Sequence, residues 1–295
     1  MSFFEKHPMF MIAIGVVGIS LSSIFVKYAQ APSLVTASYR MLWTLLFMTP
    51  FVFRHDSCRR ELKNTSRRTL LLCAASGIFL ALHFVLWFES LNHTSVASST
   101  TIVCTEVIWV ALGGYFLLKR KLSPRELFCI GITIFGSMLI AFSDSSSGGN
   151  HLYGDFLAFL AALMTAGYTI LGSYIRLYTS NTIYTYVVYL FCGLVLVATA
   201  FFSKVPLTGY GLSAWVVGLL LSVFSTILGH SIFSWCLRFL SPAFVSASKL
   251  LEPVVASVFA IFLFQEVPAW LQLLGGMIIL AGVLIYSSLE KLRAA

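Results

Sequence analysis

Ten apolar runs follow one another along the chain with only short polar breaks between them, each near the roughly 20 residues that a helix needs to cross a bilayer. They occupy residues 9–29, 32–53, 69–91, 95–118, 124–143, 154–176, 181–202, 211–239, 242–264 and 268–289. Little chain is left for a domain outside the membrane. Lipid offers no partner to backbone N–H and C=O groups, and the alternation of barrel strands is missing, so each run is expected to be a helix. Charged residues make up 10% of the 295, with a mean hydropathy of +0.91, where a soluble fold uses about a quarter. A disordered chain, a disulfide-stapled module and an ordinary soluble enzyme are thereby excluded.

The sequence pI of 9.3 does not indicate nucleic acid, because the basic residues sit between apolar runs and form no soluble basic face. Six cysteines are scattered without metal-ligand spacing and read as small hydrophobes. No phosphate-binding glycine loop, HExxH or GxSxG occurs, so the sequence calls for no catalytic residue, cofactor or metal. The expected partners are a small-molecule substrate and membrane lipid. A monomer is compatible with this reading, and the sequence does not specify the oligomeric state.

The first run resembles a cleavable signal peptide, with Lys6, an apolar stretch and Ala29-Gln30-Ala31. Pro32 and the length of the run favour a retained span. Arg54, Arg59, Arg60, Lys63, Arg67 and Arg68 fall between runs two and three, and Lys119, Arg120, Lys121 and Arg125 between runs four and five. With ten spans and both termini cytoplasmic, 15 of the 19 Lys and Arg lie inside. The expected location is the cytoplasmic (inner) membrane of a bacterial cell.

Sliding the chain by 146 residues lays Leu91 on Leu237, Ser95 on Ser241, Glu106 on Glu252 and Phe116-Leu117 on Phe262-Leu263. The halves are expected at 1–145 and 150–295, with five spans each. An odd number in tandem inserts the second copy upside down, the inverted-repeat plan that places a cavity near the midplane.

Ionisable groups within spans are costly and need a partner or a wet cavity. They are Arg40, Glu89, Glu106, Lys249 and Glu252, with His83 and His230 as titratable companions. Glu106 and Glu252 are repeat-equivalent and near mid-depth. Lys249 and Glu252, three residues apart, can pair on one helix face, and Pro253 leaves the Lys249 carbonyl without its helical donor. Lys249 would attract an anionic group, and Glu252 or Glu106 a cationic group or a proton. Glu106, with apolar Ile102, Val103 and Val110 one turn away, is the stronger proton-coupling candidate, and Glu252 the second. Arg40 and Glu89 are expected to meet as an outer pair. His83 and His230 read as packing residues. Of Trp43, Trp87, Trp109, Trp235, Tyr39, Tyr168 and Tyr174, the nearly repeat-related Trp87 and Trp235 are the aromatic candidates for cavity surface.

The segments Trp87-Phe88-Glu89-Ser90-Leu91-Asn92-His93-Thr94-Ser95-Val96-Ala97-Ser98-Ser99 and Leu237-Arg238-Phe239-Leu240-Ser241-Pro242-Ala243, the latter followed by Leu251-Glu252-Pro253-Val254, resemble the paired signatures of EamA domains. Ser38-Tyr39-Arg40 resembles the arginine such domains carry in their second span. The resemblance extends over both halves and implies the drug/metabolite transporter superfamily: an all-α, ten-helix carrier of small metabolites, amino acids among them. Val107 stands opposite Pro253, and Lys119-Arg120 opposite Gln265-Glu266, so the halves are chemically unequal. The expected function is therefore secondary transport of a small polar or zwitterionic metabolite, of the amino-acid or nucleotide-derived class, by alternating access with proton coupling or exchange. Candidate substrate-binding residues are Glu106, Lys249, Glu252, Trp87, Trp235 and Arg40. A membrane-embedded enzyme acting on lipid or prenyl substrates would want paired Asp or His motifs near one interface. A solute channel would show flux that does not saturate.

Overall fold

The computed structural model describes residues 8–118, 123–146 and 151–294, and among them every regular element is helical. In chain order these are α1 (Pro8–Ser20), α2 (Ser22–Lys27), α3 (Ser33–Arg54), α4 (Asp56–Asn64), α5 (Arg67–His93), α6 (Val96–Val103), α7 (Glu106–Leu118) and α8 (Pro124–Ser146). The second half has α9 (His151–Ile175), α10 (Asn181–Phe202), α11 (Gly211–Leu220), a π-helical segment (Leu221–His230), α12 (Ser231–Cys236), α13 (Pro242–Ser248), α14 (Leu251–Phe264) and α15 (Trp270–Ala294). Lys6, Lys119, Arg120 and Lys121, used above for orientation, lie outside the described residues.

Burial identifies the solvent. Phe201, Phe202, Leu212 and Phe262 are each at least 75% exposed, whereas Arg40, Glu106, Lys249 and Glu252 are buried together with many serines and threonines. Water would drive the opposite distribution, so the outer surface is made for lipid. Among the described residues, seven helical stretches are long and apolar enough to cross a membrane: Phe10–Lys27, Arg67–His93, Val96–Tyr115, His151–Ile175, Asn181–Phe202, Gly211–Cys236 and Phe244–Phe264. Leu127–Ile140 and Trp270–Tyr286 are shorter apolar stretches. The expected count of ten is thus not met on length and composition. Helix α3 has the length, but it carries Arg40 and a buried row of Ser33, Thr36, Ser38 and Thr44, which lowers its hydropathy.

Several helices start where a serine supplies the missing acceptor for the first turn. Ser66, Ser95, Ser180 and Ser241 accept hydrogen bonds from the backbone N–H groups of Thr69, Ser98, Ile183 and Phe244. Ser95 and Ser241 are the pair that the 146-residue shift superimposes, so that identity has a physical reason. Ser95→Ala and Ser241→Ala are each expected to cost about 1 kcal/mol, and Gly in either place only a few tenths. Thermal unfolding of the purified variants checks this.

Contacts between loops sort the helix ends into two sets. At one end, the Glu61 carboxylate accepts from the Ser180 N–H at 2.7 Å, bringing the basic α4 beside the start of α10. At the other, Glu266 accepts from the Val96 N–H at 2.9 Å and pairs with Lys27 at 3.1 Å, and the Thr94 hydroxyl donates to Asp155 at 2.9 Å. The last helices of the two halves approach through glycine: a Cβ on Gly136 would lie 2.8 Å from the Gly275 carbonyl oxygen, and one on Gly275 2.7 Å from that of Gly136. Backbones this close are the small-residue packing of membrane helices.

Candidate functional site

Two interrupted helices build the centre of the molecule. Between α6 and α7 the chain tightens at Cys104 and Thr105, where Thr105 N–H reaches the Ile102 carbonyl at 3.0 Å and Ile108 N–H the Thr105 carbonyl at 2.9 Å. Between α13 and α14 the same happens at Lys249 and Leu250, whose N–H groups reach the Ser246 and Ala247 carbonyls at 3.2 and 3.1 Å. These three-residue steps are 3₁₀ turns within longer rods. They fall at repeat-equivalent places, and the rods exchange partners across them: α6 packs on α14, and α7 on α13. Pro253 withholds the N–H that the Lys249 carbonyl would accept in a continuous helix. That carbonyl accepts instead from Glu252 N–H at 2.8 Å and from the Cys104 thiol at 3.5 Å, so the two interruptions touch.

The charges meet across this crossing. Lys249 Nζ donates to Glu106 Oε1 at 2.7 Å, with the two side chains only 11% and 3% exposed. The expected Lys249–Glu252 pair is therefore not formed, and Glu106 is not without a counter-charge. The half-turn step at residue 249 turns the lysine toward the other half of the chain. Glu252 makes no ion pair among the described residues. It lines a cavity together with Glu106, Lys249, His83, His230, Trp87 and Thr165. Space for water centres in it is about 30 Å³, enough for one or two waters and no more.

His83 and His230, taken from sequence as packing residues, both face this cavity. The His83 ring stacks on Trp87 with centroids 5.9 Å apart and stands edge-on to His230 at 6.3 Å, while its Nδ1 donates to the Ala161 carbonyl at 3.1 Å. The Trp87 indole N–H is buried without a partner among the described residues. Ile19 and Ser22 bring the first run of the sequence into the same wall. The sequence singles out these histidines as titratable groups within spans but not their place at the cavity, which is set by the layer of aromatic neighbours from three helices.

Other expectations need correction. Arg40 and Glu89 do not pair: Glu89 accepts from the Ser33 hydroxyl at 2.7 Å and lies 3.2 Å from His93 Nε2, while Arg40 donates from Nε to the Thr226 hydroxyl at 2.7 Å. Trp235 packs on Phe239 at 4.5 Å and is not part of the cavity wall. Trp43 donates to the Trp215 carbonyl, Trp109 faces Phe159, and Tyr39 donates to the Leu207 carbonyl. Two further charges are buried, Asp155 and Arg176. Arg176 donates to the Ser234 and Thr179 carbonyls.

An all-helical body with an apolar exterior, and with polar groups turned onto a small internal cavity, defines a multi-pass membrane protein. The chain belongs to the EamA-like transporter family, whose pattern it matches twice, over residues 7–142 and 152–288. It is 28% identical over 262 residues to the uncharacterized transporter YxxF of Bacillus subtilis (strain 168), covering 88% of this chain and 82% of that one. An uncharacterized transporter of Archaeoglobus fulgidus is 25% identical, over 72% of this chain and 74% of its own. Human solute carrier family 35 member G1 is 24% identical, over 89% and 73%. A crystal structure superposes on 98% of this chain and 99% of its own with a TM-score of 0.65 and 15% identity, which is a likeness of fold. By family, this is a membrane transporter.

Proposed function

We propose that the chain is a secondary carrier which moves a small polar or zwitterionic metabolite, of the amino-acid or nucleotide-derived class, by alternating access across the cytoplasmic membrane. In this reading ten helices cross the bilayer, with both termini cytoplasmic, as two five-helix halves (1–145 and 150–295) of opposite insertion. The observation that carries it is the crossing of two interrupted helices, which sets Glu106, Lys249 and Glu252 around one small cavity, the place and construction of a carrier's substrate site. The two sets of loop contacts support the topology: each of those contacts joins helix ends expected on the same side.

A cavity of about 30 Å³ is far below the 300 Å³ or more of ordinary ligand sites, so this conformation leaves no room for cargo beside the polar groups. Cargo enters when the halves part at the crossing. Glu252, which has no counter-charge at ion-pair distance among the described residues, receives the cationic group of the cargo. It is also the carboxyl free to exchange a proton, whereas Glu106 is committed to Lys249 and ties the halves together.

Uptake of a panel of radiolabelled amino acids and nucleotide-derived metabolites into proteoliposomes tests this. Saturable uptake of one class is expected, slowed on collapse of a pH gradient, with the gradient dependence lost in Glu252→Gln. Flux that rises without saturation would establish a channel instead. Rates indifferent to the gradient in the unmodified protein would refute proton coupling.

A further inference from the structure

Among the buried charges, Arg40 differs from the rest in how little it is given. Its side chain is 0% exposed. Among the described residues, only Nε of its nitrogens has a hydrogen-bond partner, the Thr226 hydroxyl at 2.7 Å. Nη1 and Nη2 are buried and make no hydrogen bond among the described residues. A guanidinium carries five N–H donors in a planar fork, so four are unfilled among the described residues, in a fully buried place. Arg176 shows what this fold does with an arginine held for structure: its nitrogens donate to two backbone carbonyls. Arg40 has the Phe84 ring at 4.0 Å and Phe88 at 6.0 Å, which cushion the charge but accept no hydrogen bond in the plane of the fork.

The unfilled fork is one aromatic layer away from the cavity. Phe84, under Arg40, stands edge-on to His230 at 5.4 Å, and His230 is part of the cavity wall. Both the Thr226 hydroxyl and the His230 ring belong to the ten-residue π segment. Such wide-turn helix is rare and mostly confined to single turns at functional sites. Tightening it toward α geometry would move the one bond that holds Arg40 and the ring that screens it in the same step.

We propose that Arg40 is the anion-recognising group of the carrier: its fork takes a carboxylate or phosphate oxyanion of the cargo in a bidentate pair when the π segment repacks. This inference rests on the reading of the central cavity as the cargo site and adds to it the sign and shape of a second subsite. Lys249 is neutralised by Glu106, Glu252 faces the cationic end, and Arg40 faces the anionic end, so the preferred cargo is a zwitterion. Arginine suits the task better than lysine because its planar fork matches two oxygens at once.

Two measurements test it. Phenylglyoxal modification of the folded, unliganded protein, read by peptide mass spectrometry, is expected to reach Arg40 during the conformational cycle and to spare Arg176. In thermal-shift titrations with amino acids, their methyl esters and phosphorylated metabolites, the free acids or the phosphates are expected to stabilise and the esters not. Arg40→Gln should weaken the oxyanion-bearing ligands at least about tenfold, with Arg40→Lys intermediate and the methyl esters still giving no shift. Preference for carboxylates or for phosphates identifies the oxyanion. An Arg40 that is never modified, or esters that bind as well as acids, overturns the inference. Either result leaves the cavity reading standing, because that is judged separately by saturable uptake and by the loss of its gradient dependence in Glu252→Gln.

Discussion

Lys249→Met is expected to destabilise the protein by about 3–5 kcal/mol, the cost of leaving one member of a buried ion pair without its partner. Glu106 would keep its place at the crossing of α6–α7 with α13–α14 and lose the donor at 2.7 Å. Cys104, Thr165 and Trp87 line the same cavity as Glu106 and supply no cation in place of the lysine. Glu106→Gln should be costly for the converse reason, since the buried Lys249 ammonium then loses its partner at 2.7 Å and keeps the Phe233 ring at 5.5 Å and the more distant charge of Glu252 across the cavity. Joined in one protein, Glu106→Gln and Lys249→Met should recover most of the loss, because an uncharged pair of similar size at a buried site is often neutral or even stabilising. Thermal unfolding of the four proteins gives the coupling energy directly. Additive losses in the double variant would show that the two residues act independently, and the helix crossing would then owe its stability to packing alone.

The sequence carried the membrane class, the twofold repeat and the identity of the costly charges, because each of these is written locally. Apolar runs of bilayer length show in a window of residues, and a repeat shows in a shift. Ser95 and Ser241 matched because both cap a helix, and Glu106 and Glu252 because both follow a helix interruption. What the sequence did not carry is partner choice. Lys249 has Glu252 one turn away on its own helix, and helical spacing favours that pair. The 3₁₀ step at Lys249 and Leu250 breaks the spacing and sends the lysine across the repeat boundary to Glu106. Arg40 and Glu89 failed in the same manner: consecutive helices brought them to comparable depths, but the long arginine turned inward to Thr226 on the π segment, and Glu89 was satisfied by Ser33 and His93. A ten-residue π segment leaves no composition signal in Leu221–His230, so neither Thr226 nor His230 could be placed from sequence.

That segment and the first run of the chain bear on each other at Gly18, and Gly18→Leu is expected to prevent folding. A Cβ there would lie 2.6 Å from the Phe224 carbonyl oxygen, 3.1 Å from the Gly229 nitrogen and 3.1 Å from the Leu228 carbonyl carbon. All three are backbone atoms, so no side chain can swing aside, and the strain of overpacking, ordinarily about 1–3 kcal/mol for an added methylene or two, is compounded by the need to push two helices apart. Even Gly18→Ala should lower the unfolding temperature, whereas Gly131→Ala, with nothing within 4 Å of its Cβ, should not. The contrast separates close approach from helix propensity, since alanine improves the latter at both positions. The consequence reaches the cavity, because Ile19, next to Gly18, lines it and the π segment it braces holds Thr226 on Arg40. A Gly18→Ala protein should therefore show faster phenylglyoxal modification of Arg40 along with its lower stability. Unchanged stability in Gly18→Ala would mean that α1 does not seat on the π segment as closely as 2.6 Å, and the wall it contributes to the cavity would have to be drawn differently.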